Sequence, residues 1–414
     1  SKKNEIFRNF IGMGYYNSFT PNVILRNILE NPGWYTSYTP YQPEVAQGRL
    51  EMLLNFQQVI TDLTGMDIAN ASLLDEATAA AEAVGLSQRV DKNNSVHVFV
   101  SSDCNPQTID LIKTRTEPFG LKLLIGNQKD FLTSINEKLI CGVLPYPGTL
   151  GDIIDPSEAI SQIHKKGGKA IVIADLLSLT KLKTPAELGA DIAVGSAQRF
   201  GIPMGYGGPH AAFFATKEEF KRSMPGRIIG VSVDRYGKKA YRLSLQTREQ
   251  HIRRDKATSN ICTAQALLAI ISAAYAIYHG PKGILQIAER TSKLAKLFSE
   301  GIKSAGFEIL SEQFFDTVTI KTKNKTNEIY EKALAKKINL RNVNNEMISV
   351  AFDEAKKLED VNILLEIFGL NKNYDQNIRV ELDNIPSQLK RTSEYLTHPV
   401  FNKYQSETEM LRYL

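Results

Sequence analysis

The sequence of 414 residues is poor in the residue types that mark several large classes of protein. It contains three cysteines, Cys104, Cys141 and Cys262, which are odd in number and far apart in the chain. Such usage is typical of reduced thiols inside a cell and does not fit a disulfide framework. The six histidines never lie at helical i, i+4 spacing, and no other metal-ligand spacing is present. We therefore predict no metal site.

Long apolar runs and strongly one-sided charge are also missing. No run of 18 apolar residues occurs, which predicts no transmembrane helix and no membrane partner. The formal net charge is +5 and is spread along the chain, which is too mild to indicate a nucleic-acid partner. The sequence has no repeat, low-complexity tract, Walker motif or Gly-x-Ser-x-Gly motif, so it gives P-loop and serine-hydrolase chemistry no support.

The composition that remains is that of an ordinary globular protein, with 43% hydrophobic and 23% charged residues. The length predicts roughly two to three domains. We predict an N-terminal arm over residues 1–50, a large α/β domain over 51–280, a small α+β domain over 281–370 and an arm or linker over 371–414. The helical patterns at both ends carry no start or stop signal, and we expect a longer native chain.

Short apolar runs alternate with helical segments from about residue 95 onward. The predicted strands lie at residues 96–100, 121–125, 139–144, 170–174, 191–194 and 211–215. This alternation predicts a mostly parallel sheet with helices on both faces. Ligands of such sheets bind at the carboxyl ends of the strands, and Asp175 follows one of them.

A glycine-rich loop at residues 195–210 follows one predicted strand and precedes another. Its five glycines and two prolines exclude a regular helix or strand. Two interpretations stay open at this point. The loop is either a tight connection that needs glycine for its geometry, or it surrounds a ligand.

Two further segments have unusual composition. Residues 34–44 hold four aromatic residues and two prolines, which indicates either packing onto the main domain or the wall of a pocket. Residues 246–260 are basic, and their charged side chains are Arg248, Glu249, Arg253, Arg254, Asp255 and Lys256. This run is either a solvated charged face or a loop that binds an anion or a partner.

A large α/β domain followed by a small α+β domain is the plan of aminotransferase-like enzymes of fold type I. These enzymes use pyridoxal phosphate and need a strand-end aspartate and a later lysine. Asp175 lies 23 residues before Gln198, an interval that suits this pair. Four runs resemble the amino-terminal half of glycine decarboxylase, the P-protein of the glycine cleavage system, at residues 35–44, 71–79, 195–210 and 246–263. The resemblance covers essentially the whole chain.

The resemblance implies that the cofactor chemistry is missing from this chain. In the carboxyl-terminal half of that family the loop reads approximately His-Lys-Thr-Phe, and its lysine binds the cofactor. Gln198 stands at the lysine position, and an amide cannot form a Schiff base. We therefore expect the chain alone to be inactive, with Asp175 a vestige. Leu73 and Leu74 are expected to fill the space of the cofactor phosphate.

The same resemblance implies partners. The family has two homologous halves, fused or split, and the lysine-bearing carboxyl-terminal half, or beta subunit, holds pyridoxal phosphate covalently. That half decarboxylates glycine and passes the aminomethyl group to the lipoyl arm of H-protein. The expected assembly is a dimer of heterodimers or a homodimer of fused chains. The expected compartment is the bacterial cytoplasm, which we favour, or the mitochondrial matrix of a eukaryote.

Fold type I enzymes build their active sites between subunits, so the resemblance implies that this half completes the site of its partner. The candidates for reaching the partner's cofactor are Tyr38, Thr39, Tyr41, Gln42, Thr258 and Ser259. Arg253 or Arg254 is the candidate for binding a carboxylate or the partner surface. The alternative is a purely structural scaffold that contributes no catalytic group. A third interpretation, an unrelated anion or nucleic acid on the basic run, is disfavoured because no basic stripe is present.

Overall fold

The computed structural model describes residues 3–36, 39–245, 252, 254–257, 259, 264–371, 373–375 and 384–414. Its helices are α1 (Asn22–Ile24), α2 (Gln47–Thr64), α3 (Glu76–Val90), α4 (Pro106–Thr116), α5 (Asp130–Ser134), α6 (Ser157–Lys165), α7 (Ala266–Ser304), α8 (Thr326–Ala335), α9 (Leu358–Ile367), α10 (Val400–Lys403) and α11 (Glu407–Tyr413). Its strands are β1 (Arg8–Phe10), β2 (Ile68–Ala69), β3 (His97–Ser101), β4 (Lys122–Gly126), β5 (Leu139–Tyr146), β6 (Lys169–Ala174), β7 (Ile192–Ser196), β8 (Ala212–Thr216), β9 (Ile228–Val233), β10 (Lys239–Ser244), β11 (Glu308–Ile309), β12 (Thr317–Lys321), β13 (Ile338–Asn344) and β14 (Met347–Ala351).

The large domain is built on a seven-stranded sheet in the order β2-β8-β7-β6-β5-β3-β4. The strands from β4 to β7 run parallel, whereas β8 pairs antiparallel with both β7 and β2. Every residue of β5 is buried, as expected for a central strand that is covered on both faces. The six predicted apolar runs correspond to β3 to β8, so the prediction of a mostly parallel sheet is confirmed.

Helices cover both faces of this sheet and form two cores. On one face α3 packs against β5, β7 and β8, and its small side chains allow this close approach. The buried alanines of α3 are Ala77, Ala79, Ala80, Ala81 and Ala83. On the other face α2 packs along α7, and their apolar side chains share a core with those of α6. The sheet therefore holds its strand ends in fixed positions.

The kinked helix α7 connects the two domains. Gly280 has φ +61° and ψ 178° inside the helical run and Pro281 follows it, so α7 consists of two helices that meet at a kink. The apolar patterns at residues 261–278 and around 283–305 predict two helices here. The first part packs into the core of the large domain, for example through Ile277, and the second part into that of the small domain, for example through Phe298. The kink at Gly280 lies against the carbonyl group of Phe401 in α10.

The small domain carries a five-stranded sheet in the order β1-β13-β14-β12-β11. Four of these strands pair antiparallel, whereas β1 joins the edge in parallel with β13, with Arg8 opposite Ile338. The sequence pattern predicts strands near residues 307–310, 315–322 and 347–352, which agree with β11, β12 and β14, and it predicts neither β1 nor β13. Residues of the predicted N-terminal arm therefore take part in the sheet of the small domain.

Two remaining segments pack onto the large domain. The antiparallel hairpin of β9 and β10 lies against α2, where Gln57 binds both backbone polar groups of Ile229. Residues 384–414 return to the large domain and bury Leu396, Phe401 and Met410 in its core. No helix of the described residues is long and apolar enough to cross a membrane. The predicted domain boundaries remain predictions.

Candidate functional site: a pocket at the strand ends

A pocket opens at the carboxyl ends of β5, β6 and β7, where sheets of this type bind ligands. Its volume is about 70 Å³, well below the roughly 300–1,000 Å³ of typical small-molecule sites. The start of α3, the N-terminal segment and the beginning of β12 complete its walls. The polar side chains that line it are Tyr16, Glu76, Asn105, Tyr146, Thr149, Asp175, Ser196, Arg199, Asp316 and Thr317.

Gln198 lies next to this pocket and its side-chain amide is fully engaged. Its Oε1 accepts a hydrogen bond from the backbone N–H of Tyr16 at 3.0 Å, and its Nε2 donates to the carbonyl oxygen of Tyr16 at 2.7 Å. A second hydrogen bond from Nε2 reaches the carbonyl oxygen of Ile202, also at 2.7 Å. The side chain is buried. Gln198 therefore clamps the N-terminal segment to the glycine-rich loop.

The neighbouring Arg199 occupies the side of the pocket where Asp175 ends its strand. Its Nη1 lies 2.5 Å from Oδ2 of Asp175 and 2.6 Å from Oδ2 of Asp316. The guanidinium carbon lies 3.8 Å from the ring centroid of Tyr16, a distance at which an aromatic face attracts a cation. We call these four residues the Arg199 cluster. Because β6 belongs to the large domain and Asp316 precedes β12, the cluster spans both domains.

The charges of the Arg199 cluster determine its electrostatics. Burial lowers the pKa of Arg199, but the carboxylates of Asp175 and Asp316 outweigh burial and raise this pKa above its ordinary value. Burial also raises the pKa of Asp316, which Arg199 lowers and Asp175 raises further. Two carboxylates that share one buried site repel each other. The guanidinium between them is therefore required for both to be ionised.

The beginning of α3 is acidic, which disfavours an anion there. The side chain of Asp75 caps the helix by accepting a hydrogen bond from the backbone N–H of Thr78 at 2.7 Å, so this N–H group is not free to bind a phosphate. Burial raises the pKa of Glu76 even though Asn105 donates a hydrogen bond to it. Of the two leucines expected at the phosphate position, Leu73 is buried and Leu74 is 47% exposed.

The segment at residues 34–44, which we call the Tyr-rich loop, is partly exposed, and its described residues do not line the pocket. Tyr41 is 39% exposed and its hydroxyl accepts a hydrogen bond from Nη2 of Arg227 at 2.6 Å. Gln42 is exposed, whereas Thr39 is buried. Tyr38 lies outside the described residues. As far as it is described, the loop offers a partner an exposed surface that begins with Tyr35, which is 60% exposed.

The basic run is described only in part. The hydroxyl of Ser259 donates a hydrogen bond to Oε1 of Glu82 in α3 at 3.1 Å, so this serine has a partner within its own chain. Arg254 is exposed. Thr258, Arg248 and Arg253 lie outside the described residues. Ser259 is not among the side chains that line the pocket.

The structure therefore brings together Asp175 and the loop that carries Gln198, as predicted from their spacing. Sequence reasoning missed Arg199, Asp316 and Tyr16, which complete the pocket. The available signal was a single arginine in a loop that carries no other charged residue, shortly after a buried strand. A charge at such a position needs a partner.

The mostly parallel sheet and the small α+β domain define the class to which the chain belongs, the aminotransferase-like proteins of fold type I. More distant structures share the fold alone, such as an apo cysteine desulfurase from Thermococcus onnurineus NA1, with a TM-score of 0.63 and 15% identity over 87% of this chain and 94% of that chain.

Within this class the chain belongs to the glycine cleavage system P-protein family, which matches residues 1–368. A solved structure of glycine decarboxylase (P-protein) of the glycine cleavage system, in inhibitor-bound form, is similar to this chain with a TM-score of 0.80 and 34% identity. The match covers 87% of this chain and 84% of that one. The predicted family and fold are thereby confirmed.

Curated relatives of the chain are longer proteins. A glycine dehydrogenase (decarboxylating) from Pelagibacter ubique is 70% identical over all of this chain and 43% of its own length. A mitochondrial glycine dehydrogenase (decarboxylating) from Flaveria anomala is 56% identical over all of this chain and 40% of its own length. The chain thus spans less than half of these relatives and matches their amino-terminal part.

Proposed function

We propose that this chain is the cofactor-free amino-terminal half of a glycine decarboxylase. Its lysine-bearing partner half holds pyridoxal phosphate, decarboxylates glycine and transfers the aminomethyl group to the lipoyl arm of H-protein. The assembly is a dimer of heterodimers or a homodimer of fused chains. The compartment is the bacterial cytoplasm, or the mitochondrial matrix if the source is a eukaryote.

The proposal rests mainly on the side chains beside Asp175, where Gln198 and Arg199 are already bound to other groups of this chain. Gln198 takes the position of the cofactor lysine in the family resemblance, and all of its amide hydrogen-bonding atoms are engaged within the chain. Arg199 supplies Asp175 with a cation of its own, so this aspartate has no need of a protonated pyridine nitrogen. A bound cofactor would have to displace a buried ion pair.

Two further features support the absence of the cofactor from this chain. The pocket of about 70 Å³ is too small for a substituted pyridine ring with a phosphate, given the roughly 300–1,000 Å³ of typical ligand sites. The acidic start of α3, with Asp75 and Glu76, repels the phosphate that a helix N-terminus otherwise attracts. The residues present do not fit pyridoxal phosphate, and we assign no reaction step to this pocket.

The residues of this chain then act on the partner's site from the outside. Tyr35, Tyr41 and Gln42 have exposed side chains and are proposed to contact the partner and to exclude water from its site. The candidates from the sequence also include Thr39 and Ser259, whose side chains are at least partly buried in this chain. Tyr38 and Thr258 keep their proposed roles as neighbours of these residues.

Separate and joint expression of the two halves tests this proposal. We expect the chain alone to yield no borohydride-reducible pyridoxal phosphate adduct and no turnover of glycine. Together with the lysine-bearing half, one adduct per pair of halves forms on the partner's lysine, and glycine decarboxylation appears. A stoichiometric adduct on a peptide of the isolated chain would contradict the proposal.

A purely structural scaffold is the second candidate function. It is favoured by the internal partners of two proposed groups, because Arg227 already binds the hydroxyl of Tyr41 and Glu82 that of Ser259. The substitutions Tyr41→Phe and Gln42→Ala in the complete enzyme separate the two functions. A site-completing half predicts a lower kcat for glycine, whereas unchanged turnover in both variants supports the scaffold.

A further inference from the structure

The Arg199 cluster joins three parts of the chain through one guanidinium group. Asp175 directly follows β6 in the large domain, Asp316 precedes β12 in the small domain, and Tyr16 belongs to the N-terminal segment. All three contact the guanidinium, with Nη1 at 2.5 Å and 2.6 Å from the two carboxylates and the Tyr16 ring centroid at 3.8 Å. The Arg199 and Asp316 side chains are only 5% and 7% exposed.

These contacts differ from those of Arg341 and Arg391, whose side chains are partly buried. Arg341 donates to the carbonyl oxygen of Thr149, and Arg391 donates to those of Asp62, Leu63 and Leu179. Carbonyl groups are neutral, and they need a donor but no positive charge. The two aspartates of the Arg199 cluster need the charge itself, since burial without a nearby cation disfavours an ionised carboxylate.

We propose that Arg199 is an internal counter-ion that ties the two domains and the N-terminal segment together, and that its removal leaves a site for a small planar cation. The site selects for positive charge because two carboxylates face it. It selects for planarity because a flat group stacks on Tyr16. Guanidinium and amidinium ions are the class of ligand that meets both requirements.

This proposal does not rest on the proposed function, because it concerns only contacts within the chain. A pyridoxal phosphate adduct on the isolated chain would contradict the proposed function and would not by itself explain how the aspartates are neutralised. Failure of a cation to occupy the truncated site would contradict the counter-ion proposal and leave the cofactor-free half intact.

Chemical rescue of Arg199→Ala tests the counter-ion role. The whole chain is unfolded thermally in guanidinium chloride at low millimolar concentration, with sodium chloride and urea at equal concentration as controls. Urea has nearly the same shape as guanidinium and carries no charge. We expect guanidinium to raise the Tm of the variant saturably, as a ligand of the native state does, and to leave that of the wild type unchanged.

The outcome that overturns the proposal is a folded Arg199→Ala variant whose Tm responds equally to guanidinium and urea, or to neither. Arg26→Ala, which removes an exposed arginine from an ion pair with Glu407, is the matched control and should show no rescue.

A double substitution keeps the proposal falsifiable if Arg199→Ala does not fold. Arg199→Met fills the space without the charge and leaves Asp316 without its cation. If Arg199 is the counter-ion, Arg199→Met combined with Asp316→Asn yields more folded protein and a higher Tm than Arg199→Met alone. A double variant that is less stable than Arg199→Met would overturn the proposal, because it would show that Asp316 acts independently of the charge.

Discussion

The side-chain amide of Gln198 binds both backbone polar groups of Tyr16, accepting from its N–H at 3.0 Å and donating to its carbonyl oxygen at 2.7 Å. This pair replaces the kind of backbone pairing that a strand would provide, although the two residues are 182 positions apart. The pair fixes the N-terminal segment over the pocket and places the Tyr16 ring against Arg199.

We therefore expect Gln198→Ala to release the N-terminal segment. The substitution removes three hydrogen bonds and leaves the polar groups of Tyr16 without their partner, a loss of about 2–4 kcal/mol. Hydrogen exchange at Tyr16 should accelerate, and chemical denaturation should show the lower stability. Gln58→Ala on the exposed face of α2 is the control, and equal effects of the two substitutions would contradict the role of Gln198.

Alanine substitution of two helical glycines should give opposite results. Gly280→Ala forces a residue with a Cβ to φ +61° and brings that Cβ within 2.8 Å of the Phe401 carbonyl oxygen, which we expect to cost about 2–4 kcal/mol. Gly85→Ala in α3 meets no contact closer than 3.4 Å and should stabilise the chain by about 0.5–1 kcal/mol. Urea denaturation measures both, and a neutral Gly280→Ala would contradict the tight contact with α10.

The chain should lose stability between pH 6.5 and pH 4 through His279. Burial lowers the pKa of this histidine from 6.5 to about 4, and its Nε2 has no hydrogen-bond partner among the described residues. The folded form therefore resists protonation in this window, whereas the unfolded form binds a proton. Full stability is present above pH 6.5, and no more than about 3 kcal/mol is lost on acidification.

The contribution of His279 is isolated by comparing wild type with His279→Leu at pH 7 and at pH 5. We expect the difference in unfolding free energy between the two pH values to be smaller in the variant. An unchanged pH dependence would show that other groups cause it.

Replacing Arg391 by lysine should lower the stability of the chain. It donates hydrogen bonds to the carbonyl oxygens of Asp62 and Leu63 at the end of α2 and to that of Leu179, at 2.7 to 2.9 Å. An ammonium group cannot reach carbonyls that lie on different sides of a planar fork. We expect Arg391→Lys to cost about 2 kcal/mol and to make residues 384–414 more sensitive to limited proteolysis. The exposed Arg412→Lys should match the wild type, and equal protection of Arg391→Lys would contradict this role.

The central sheet could be predicted because β-branched runs between helices leave a strong pattern, and the strands β3 to β8 follow it. The strands β1 and β13 could not, since β1 has three residues and β13 alternates apolar residues with polar ones such as Asn339 and Arg341. Their pairing is set by tertiary packing, which overrides local preference. The hairpin of β9 and β10 was also missed; in β9 only Ile228 and Ile229 are buried, whereas Val231 and Val233 are exposed.

Only the motif residues of the candidate site could be predicted from the sequence. Asp175 and Gln198 follow from strand ends and from the family resemblance, and the missing lysine is visible in the sequence. The role of Arg199 could not be predicted, because its partner Asp316 lies 117 residues later in the other domain. No local pattern connects the two, because the ion pair is created by the packing of the domains.

The parallel edge strand β1 makes completion of the small domain depend on the order of synthesis. Residues 8–10 are synthesised long before their partner strand, because Ile338 lies 330 positions after Arg8. The small domain can therefore close its sheet only late, and until then the first strand has unpaired backbone groups. Such a long-range closure slows folding.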